Sequence, residues 1–237
     1  MDEPYRVELG SGREAWAVRV HADSELAGAV EALGVGGRAA LVVVGGAGGM
    51  SERETRRPAP LFGDILAPLA QRLRATVIDG GTDAGVMRLM GDARGKTGAT
   101  FPLIGVIVEE LVESVGLEPN HTHFVLVPGS EWGHETPWLV RLASVVAGGE
   151  SSATVLVNGG EIALDDVRHS IEAGRPVVVL EGSGRTADAI AKASRGDAGD
   201  PALTALARSE LVHVVDARDR NAVAWLLDDL LSGRVVR

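Results

Sequence analysis

Short runs of consecutive apolar residues alternate along the chain with stretches whose apolar residues recur every three or four positions. The first pattern is typical of strands buried on both faces, and the second of amphipathic helices. Seven runs predict strands, at residues 40–44, 75–78, 103–108, 122–127, 154–157, 176–180 and 211–215. Strand followed by helix, repeated about six times, predicts right-handed βαβ units. We therefore expect an α/β fold with a doubly wound, mainly parallel sheet of about seven strands.

Three further segments add detail to this outline. Residues 15–20 alternate apolar and polar side chains, which predicts an edge strand, and residues 222–231 predict a helix that buries Trp225 among leucines. Residues 49–60 carry many charges and end in Pro-Ala-Pro, so we expect them to be the least ordered. No break in composition indicates a linker, and we predict a single domain over residues 1–237.

Composition excludes several classes of protein. The 237 residues include no cysteine, which rules out a disulfide scaffold and thiolate metal sites. The net charge of −10 argues against binding nucleic acid through a basic face. No apolar run approaches the ~18 residues of a membrane span, and the acidic start is unlike a signal peptide. We expect a cytoplasmic protein that requires no cofactor.

Glycines follow five of the predicted strands at their carboxyl ends. In a parallel sheet these turns share one edge, where open α/β sheets bind ligands. Glycine lets a ligand approach the backbone closely, and the helix that follows points its N–H groups at the same place. The sequence therefore predicts an anion-accepting cleft. Its candidate ligand-binding residues are Gly45, Gly46, Gly48, Gly49, Gly80, Gly81, Thr82, Gly129, Ser130, Asn158, Gly159, Gly160, Glu181, Gly182, Ser183, Gly184 and Arg185.

Several of these side chains have a structural alternative. Any single glycine pair is also explained by the needs of a strand-to-helix turn. Thr82 either caps the next helix or binds a phosphate. Arg185 either clamps a phosphate or pairs with Asp188 three residues on, and Glu181 either holds a ribose or is a solvated turn residue.

Histidine and tryptophan supply the other candidates. His121 and His123 are spaced to hold a metal, but no third ligand lies nearby in the sequence, so we favour hydrogen bonding to a neighbouring loop and predict no metal. Trp132 follows a strand end and either stacks on a base or packs a loop.

Residues 91–97 (GDARGKT) resemble a P-loop, but only three residues separate the two glycines where that motif needs four. The segment therefore argues against a nucleotide triphosphatase.

Three motifs in order resemble the N-terminal cytosolic region of melastatin-type TRP channels. They are residues 80–87 (GGTDAGVM), 117–124 (LEPNHTHF) and 181–191 (EGSGRTADAIA). The match extends over about two thirds of the chain. The sequence is thereby identified as a member of the prokaryotic LSDAT branch of the SLOG superfamily, whose domains are Rossmann-like.

The resemblance implies a ligand-sensing domain that binds a nucleotide-derived ligand, such as ADP-ribose or a related NAD metabolite. Phosphates are then expected on the turns at residues 45–49, 80–82 and 182–185. The alternative is a phosphoribohydrolase like the lonely-guy enzymes, which cleaves a nucleoside monophosphate. Residues 158–166 (NGGEIALDD) keep the leading glycine pair of the motif of those enzymes, lack its later Gly-Thr, and offer Asp165 and Asp166 as catalytic carboxylates.

The sensor hypothesis has consequences for partners. A lone sensing domain needs an effector protein to report to, and relatives often assemble. The apolar helix at residues 222–231 is the candidate surface for a homo-oligomer.

Overall fold

The fold is taken from a computed structural model that describes residues 1–197 and 200–233 of the chain. The remaining six residues of the predicted domain lie outside the described residues. Strands in the described part are β1 (Tyr5–Leu9), β2 (Arg13–Arg19), β3 (Ala40–Gly45), β4 (Thr76–Asp79), β5 (Leu103–Val108), β6 (His123–Val127), β7 (Ser152–Val157), β8 (Val177–Glu181) and β9 (Val212–Asp216).

Helices fill most of the connections between these strands. The α-helices are α1 (Leu26–Leu33), α2 (Glu52–Arg56), α3 (Ala59–Leu61), α4 (Ala67–Leu73), α5 (Gly85–Thr97), α6 (Thr136–Ala147), α7 (Glu161–Glu172), α8 (Arg185–Ser194), α9 (Pro201–Ala207) and α10 (Arg220–Ser232). A π-helical turn joins α3 to α4, and shorter 3₁₀ turns occur at Gly10–Gly12, Asp23–Glu25 and Glu109–Ser114.

All the strands belong to one sheet, in the order β1-β2-β6-β5-β4-β3-β7-β8-β9. Each neighbouring pair is parallel except β1 with β2. The chain proceeds outward from β3 to β6 and then returns to the other side of β3 at β7. The switch in direction therefore lies between β3 and β7, which is where such sheets bind ligands.

The sheet is buried on both faces between two layers of helices. One apolar core packs α1, α6, α7, α8 and α9 on one face. The other core packs α4, α5 and α10 on the opposite face. The alternation of strand and helix thus confirms the doubly wound, Rossmann-like α/β prediction. Within the described ranges, no helix is long and apolar enough to cross a bilayer.

The strand count and the sheet edge differ from the prediction. The sheet has nine strands where about seven were expected, because β1 and β2 extend it. Residues 15–20 form no edge strand, since β2 pairs with β6 on one side and with β1 on the other. The overlooked β1 alternates in the expected way, with exposed Arg6 and Glu8 between less exposed neighbours.

One segment contains helices that were not predicted, and one expectation was wrong. Residues 49–60 include α2 and the start of α3, and Ser51 and Glu54 build a capping box at α2 in which Ser51 Oγ accepts from the Glu54 N–H. That these residues are the least ordered stays a prediction. Trp225 is 67% exposed and does not join the core. Helix α10 buries Val223, Leu227 and Leu231, and position 225 lies on the opposite face of the helix.

Candidate functional site

A cleft of about 510 Å³ opens at the carboxyl ends of β3 and β4, beside the switch in strand order. Its remaining walls come from the 115–116 loop and from helices α5, α6 and α7. The lining residues are Val43, Val44, Gly45, Ala47, Gly48, Gly80, Thr82, Asp83, Ala84, Met87, Val115, Gly116, Trp132, Glu135, Leu139, Ile162 and Asp166. The cleft therefore has the position and size of a small-molecule site.

Three helices begin at this cleft. Ala84 and Glu135 are the N-cap residues of α5 and α6, Ile162 is in the first turn of α7, and all three line it. None of these helices has a side-chain cap, whereas Ser51, Asp200 and Asp219 cap α2, α9 and α10 elsewhere. Helix N-termini carry partial positive charge, which suits an anion. Some of the first-turn N–H groups are already paired, since Val86 donates to the Gly46 carbonyl and Thr136 to the Gly133 carbonyl.

The structure brings four of the predicted binding residues to the cleft: Gly45, Gly48, Gly80 and Thr82. The other candidates lie outside its lining, although most occupy the same carboxyl edge of the sheet. These are Gly46, Gly49, Gly81, Gly129, Ser130, Asn158, Gly159, Gly160, Glu181, Gly182, Ser183, Gly184 and Arg185. A role in binding for any of the seventeen stays a prediction.

Close packing of backbone explains several of the glycines. A Cβ on Gly45 would overlap the carbonyl oxygen of Val157 on the neighbouring strand. Gly81 has a φ of +69° and lies against the backbone of Gly105 and the ring of Phe124. At Gly48, by contrast, an added Cβ would meet no atom within 4 Å. Packing therefore does not require this glycine, which lines the cleft. The fold itself therefore requires part of the glycine pattern.

Thr82 is buried and caps no helix. Helix α5 begins three residues later, at Gly85, and Thr82 forms an isolated bridge with Leu117. The Asp83 N–H donates to the Gly116 carbonyl at 2.7 Å in the same place. The capping alternative for Thr82 is therefore wrong, and its side chain belongs to the lining of the cleft.

Asn158 and Ser183 join the ends of β7 and β8. The Asn158 N–H donates to Ser183 Oγ at 2.8 Å, and Asn158 Nδ2 donates to the Ser183 carbonyl at 3.0 Å. Both residues are buried, and Asn158 has a φ of +61°. Their hydrogen bonds already serve the fold, which accounts for their presence without a ligand.

Arg185 does not pair with Asp188, whose carboxylate accepts from the Gly182 N–H at 2.6 Å, so the structural alternative for Arg185 is wrong. Its contact with a phosphate stays a prediction. Arg185 donates to the Gly49 carbonyl, and its Nε lies 3.4 Å from Glu54 Oε1. Glu181 pairs with Arg195 at 2.8 Å.

Three residues with carboxyl groups line the cleft, Asp83, Glu135 and Asp166, and only Asp166 was a candidate from the sequence. Asp166 is buried and accepts a hydrogen bond from Thr136 Oγ1 at 2.8 Å. Burial and, to a smaller extent, repulsion by Glu135 raise the pKa of Asp166 to about 7, although the hydrogen bond from Thr136 acts in the opposite direction. Burial also raises the pKa of Glu135, which accepts from the Gly133 N–H. Asp165, the other predicted catalytic carboxylate, is exposed, pairs with Arg168 at 2.7 Å and is outside the cleft.

Glu135, Asp83 and the apolar wall were not among the candidate binding residues. The spacing of Gly133 and Glu135 also resembles the channel region, but only the return of α6 across the sheet brings Glu135 to the cleft that Asp166 lines. Trp132 was a candidate, and it lies on the rim of the cleft with 47% of its surface exposed. An exposed indole at a cleft is suited to stacking on a planar ring.

His121 lies fully buried behind the β4 turn. Its Nε2 is 2.8 Å from Asp79 Oδ1, and its Nδ1 is 2.8 Å from Glu118 Oε2. Burial alone lowers the pKa of His121, but the two carboxylates outweigh it and raise the value to about 9. The Glu118 N–H in turn donates to the Gly81 carbonyl at 3.0 Å. His121 thus takes the structural role that we favoured and supports the turn that lines the cleft.

Comparison with known proteins shows the family and the fold. The family described as "SLOG in TRPM, prokaryote" matches residues 38–224. Transient receptor potential cation channel subfamily M member 2 is 27% identical over 177 residues in both mouse and rat. Each match covers 56% of this chain and only 12% of the channel, so the chain spans a small part of those relatives.

Solved structures of low sequence identity share the fold. A molybdenum cofactor carrier protein from Chlamydomonas reinhardtii is 19% identical, with a TM-score of 0.51 over 80% of this chain and 98% of its own. A second structure of a Moco carrier protein from that organism is 18% identical, with a TM-score of 0.53 over 80% of this chain and 97% of its own. At this identity the likeness concerns the fold alone.

Proposed function

The chain belongs to the prokaryotic SLOG-in-TRPM family, and on that premise we propose that it binds a nucleotide-derived ligand in the cleft beside β3 and β4. The observation that carries the proposal is the convergence of three uncapped helix N-termini on a cleft at the switch in strand order. A phosphate there would be stabilised by the partial positive charge of the three N-termini and by those of their N–H groups that no backbone carbonyl already accepts from. ADP-ribose and related NAD metabolites are the ligand class that the family resemblance implies.

The walls of the cleft suit the other parts of such a ligand. Trp132 on the rim offers a face for the base. Glu135 and Asp166 offer carboxyl oxygens that accept hydrogen bonds from ribose hydroxyls. Because burial holds the pKa of Asp166 near 7, repulsion between this wall and a phosphate is reduced at neutral pH.

Thermal unfolding in the presence of ADP-ribose, NAD or AMP tests the proposal. A ligand at 100 times its Kd adds about 2.7 kcal/mol of stability, which is roughly 5 to 10 °C in Tm for a domain of this size.

Trp132→Ala should reduce the shift, whereas Trp225→Ala, a matched exposed tryptophan away from the cleft, should preserve it. Gly48→Asp should abolish the shift by repelling an anion, and Gly48→Ala should retain it. No shift with any of the three compounds would contradict the proposal.

A second candidate function, hydrolysis of the N-glycosidic bond of a nucleoside monophosphate, is favoured by one observation. Asp166 is a buried carboxyl group with a pKa near 7, which suits general acid or base catalysis. Incubation with AMP should then release free adenine and ribose 5-phosphate. Asp166→Asn should abolish the release and Asp165→Asn should leave it intact. Binding without any release would restrict the function to sensing.

A further inference from the structure

The segment that follows β3 crosses the carboxyl edge of the sheet, and among residues 46–57 only Met50 packs against a hydrophobic core. Helix α2, within this segment, has no buried residue, and its Arg56 side chain is 81% exposed. Ala47 and Gly48, at the start of the same segment, line the cleft. A segment with few buried apolar contacts opens locally at low free energy unless polar contacts hold it.

One side chain of this segment reaches both its own helix and the body of the sheet. Glu54 Oε2 accepts from the Ser51 N–H at 2.9 Å and from Ser51 Oγ at 2.7 Å, which closes the capping box of α2. Glu54 Oε1 instead accepts from Asn158 Nδ2 at 3.2 Å and lies 3.4 Å from Arg185 Nε. The two oxygens of one carboxylate thus join α2 to the residue after β7 and to the first residue of α8.

Arg185 completes the attachment from the opposite side. Its guanidinium donates to the Gly49 carbonyl as well as facing Glu54, so it contacts both the start and the middle of the segment. Arg185 has a φ of +42°, an unfavourable conformation for a residue with a Cβ. Such a conformation persists where surrounding contacts hold it. Asn158, the second donor, is fully buried and fixed by Ser183.

We propose that residues 47–57 form a lid beside the cleft, and that the Glu54 carboxylate latches this lid to Asn158 and Arg185. Opening the lid moves Ala47 and Gly48 away from the cleft and widens its mouth. Hydrogen bonds from Ser51 keep the pKa of Glu54 at about 2, so the latch stays charged at physiological pH. The latch is a property of the unliganded chain and stands whether or not the proposed function does.

Limited trypsin digestion of the full chain without ligand tests the latch, with mass spectrometry of the bond after Arg56. Arg185→Gln leaves the sequence of the lid unchanged, so a faster cut reports opening of the lid rather than a better substrate. We expect about a tenfold faster cut, as for the loss of a charge-assisted hydrogen bond from a locally opening segment. Arg195→Gln, on the residue after α8, is the matched control and should cut at the parent rate.

Glu54→Gln is the second test of the latch. Glutamine also forms a capping box, but it has no negative charge to attract Arg185. We expect this variant to speed the cut after Arg56, and Glu8→Gln, at an exposed glutamate of β1, to leave it unchanged. Equal rates for Arg185→Gln and the parent chain would overturn the proposal, even if Glu54→Gln were cut faster, since Glu54 would then act only within α2. Unchanged Tm values for all four variants confirm that the fold is intact.

Discussion

Asp166 shows what burial does to a single side chain at the cleft. Its pKa is about 7 in the folded chain and 3.8 as a free side chain, so folding favours its protonated form. The stability that this preference contributes is fully present below pH 4 and is lost as the pH rises through 7. Above that pH the chain keeps an ionised carboxyl in a buried place, which is typical of residues retained for function.

Asp166→Asn is therefore expected to stabilise the chain at high pH. The gain should be absent at pH 4 and reach about 2 to 4 kcal/mol at pH 8, because asparagine has no charge to bury and still accepts from Thr136. Urea unfolding at both pH values measures it. Asp165→Asn, which alters an exposed neighbour, should show no such gain; a gain at pH 4 equal to that at pH 8 would refute the electrostatic explanation.

His121 is a buried cation where Asp166 is a buried acid, and it predicts a change in stability at higher pH. Its pKa is about 9 when folded and 6.5 when free, because Asp79 and Glu118 hold the proton. The resulting stability, on the order of 3 kcal/mol, is complete below pH 6.5 and disappears as the pH rises through 9. Urea unfolding between pH 6 and 9.5 should show this fall.

His121→Gln tests the assignment. The variant leaves Asp79 and Glu118 buried without a cation, which costs about 3 to 5 kcal/mol at pH 6. Its stability should differ less and less from that of the parent chain as the pH rises toward 9.5. His213→Gln, on the edge strand β9, should follow the parent curve throughout. A constant difference at every pH would show that His121 is neutral in the folded chain.

At the scale of elements, glycines determine how closely the strand ends and helix starts approach. Gly85, the first residue of α5, has a φ of +47°, and a Cβ there would overlap the Gly46 carbonyl. The Val86 N–H donates to that same carbonyl at 2.9 Å. This contact fixes the start of α5 against the β3 turn, and with it one corner of the cleft.

Gly85→Ala and Gly98→Ala separate space from backbone strain on one helix. Gly98 ends α5 with a φ of +64° and has nothing within 4 Å of a built Cβ. Its substitution should cost only the strain of about 1 to 2 kcal/mol. Gly85→Ala should cost more than about 3 kcal/mol, because backbone must move as well. Equal losses in thermal unfolding would mean that the Gly46 contact does not constrain the turn.

At the scale of the whole molecule, the sheet extends beyond the part that matches the family. The match begins at residue 38, yet β2 lies inside the sheet beside β6. Helix α1 buries Leu26 and Val30 in the core shared with α6. The first 37 residues therefore complete the core, while β1 adds a more exposed edge.

Two truncations test this division. Removing residues 1–12 takes away β1. It should lower Tm by only a few degrees, which corresponds to a loss of about 1 to 2 kcal/mol in the free energy of unfolding. Removing residues 1–37 takes away β2, one of the two strands that pair with β6, and also the buried Leu26 and Val30 side chains of α1. Their burial is worth roughly 2 kcal/mol each, so we expect a loss of well over 10 °C in Tm or insoluble protein. Similar Tm values for the two truncations would show that β2 and α1 are dispensable.

The sequence by itself determined the doubly wound fold, most of the strands and the edge of the sheet on which the cleft lies. Buried parallel strands must be apolar on both faces, and this demand appears directly in the order of residues. The capping box at Ser51 and the alternation of β1 were also present in the sequence, although both were overlooked.

Only the tertiary structure decided which of the seventeen candidates share a cleft. Glu135 and Asp166 are 31 positions apart and meet because α6 and α7 begin at the same edge. Glu54 and Arg185 meet because α2 crosses that edge, which no local pattern records. Gly45 and Gly81 resembled ligand contacts in the sequence but are required by Val157 and by Gly105 with Phe124, since a glycine pattern does not reveal what approaches it.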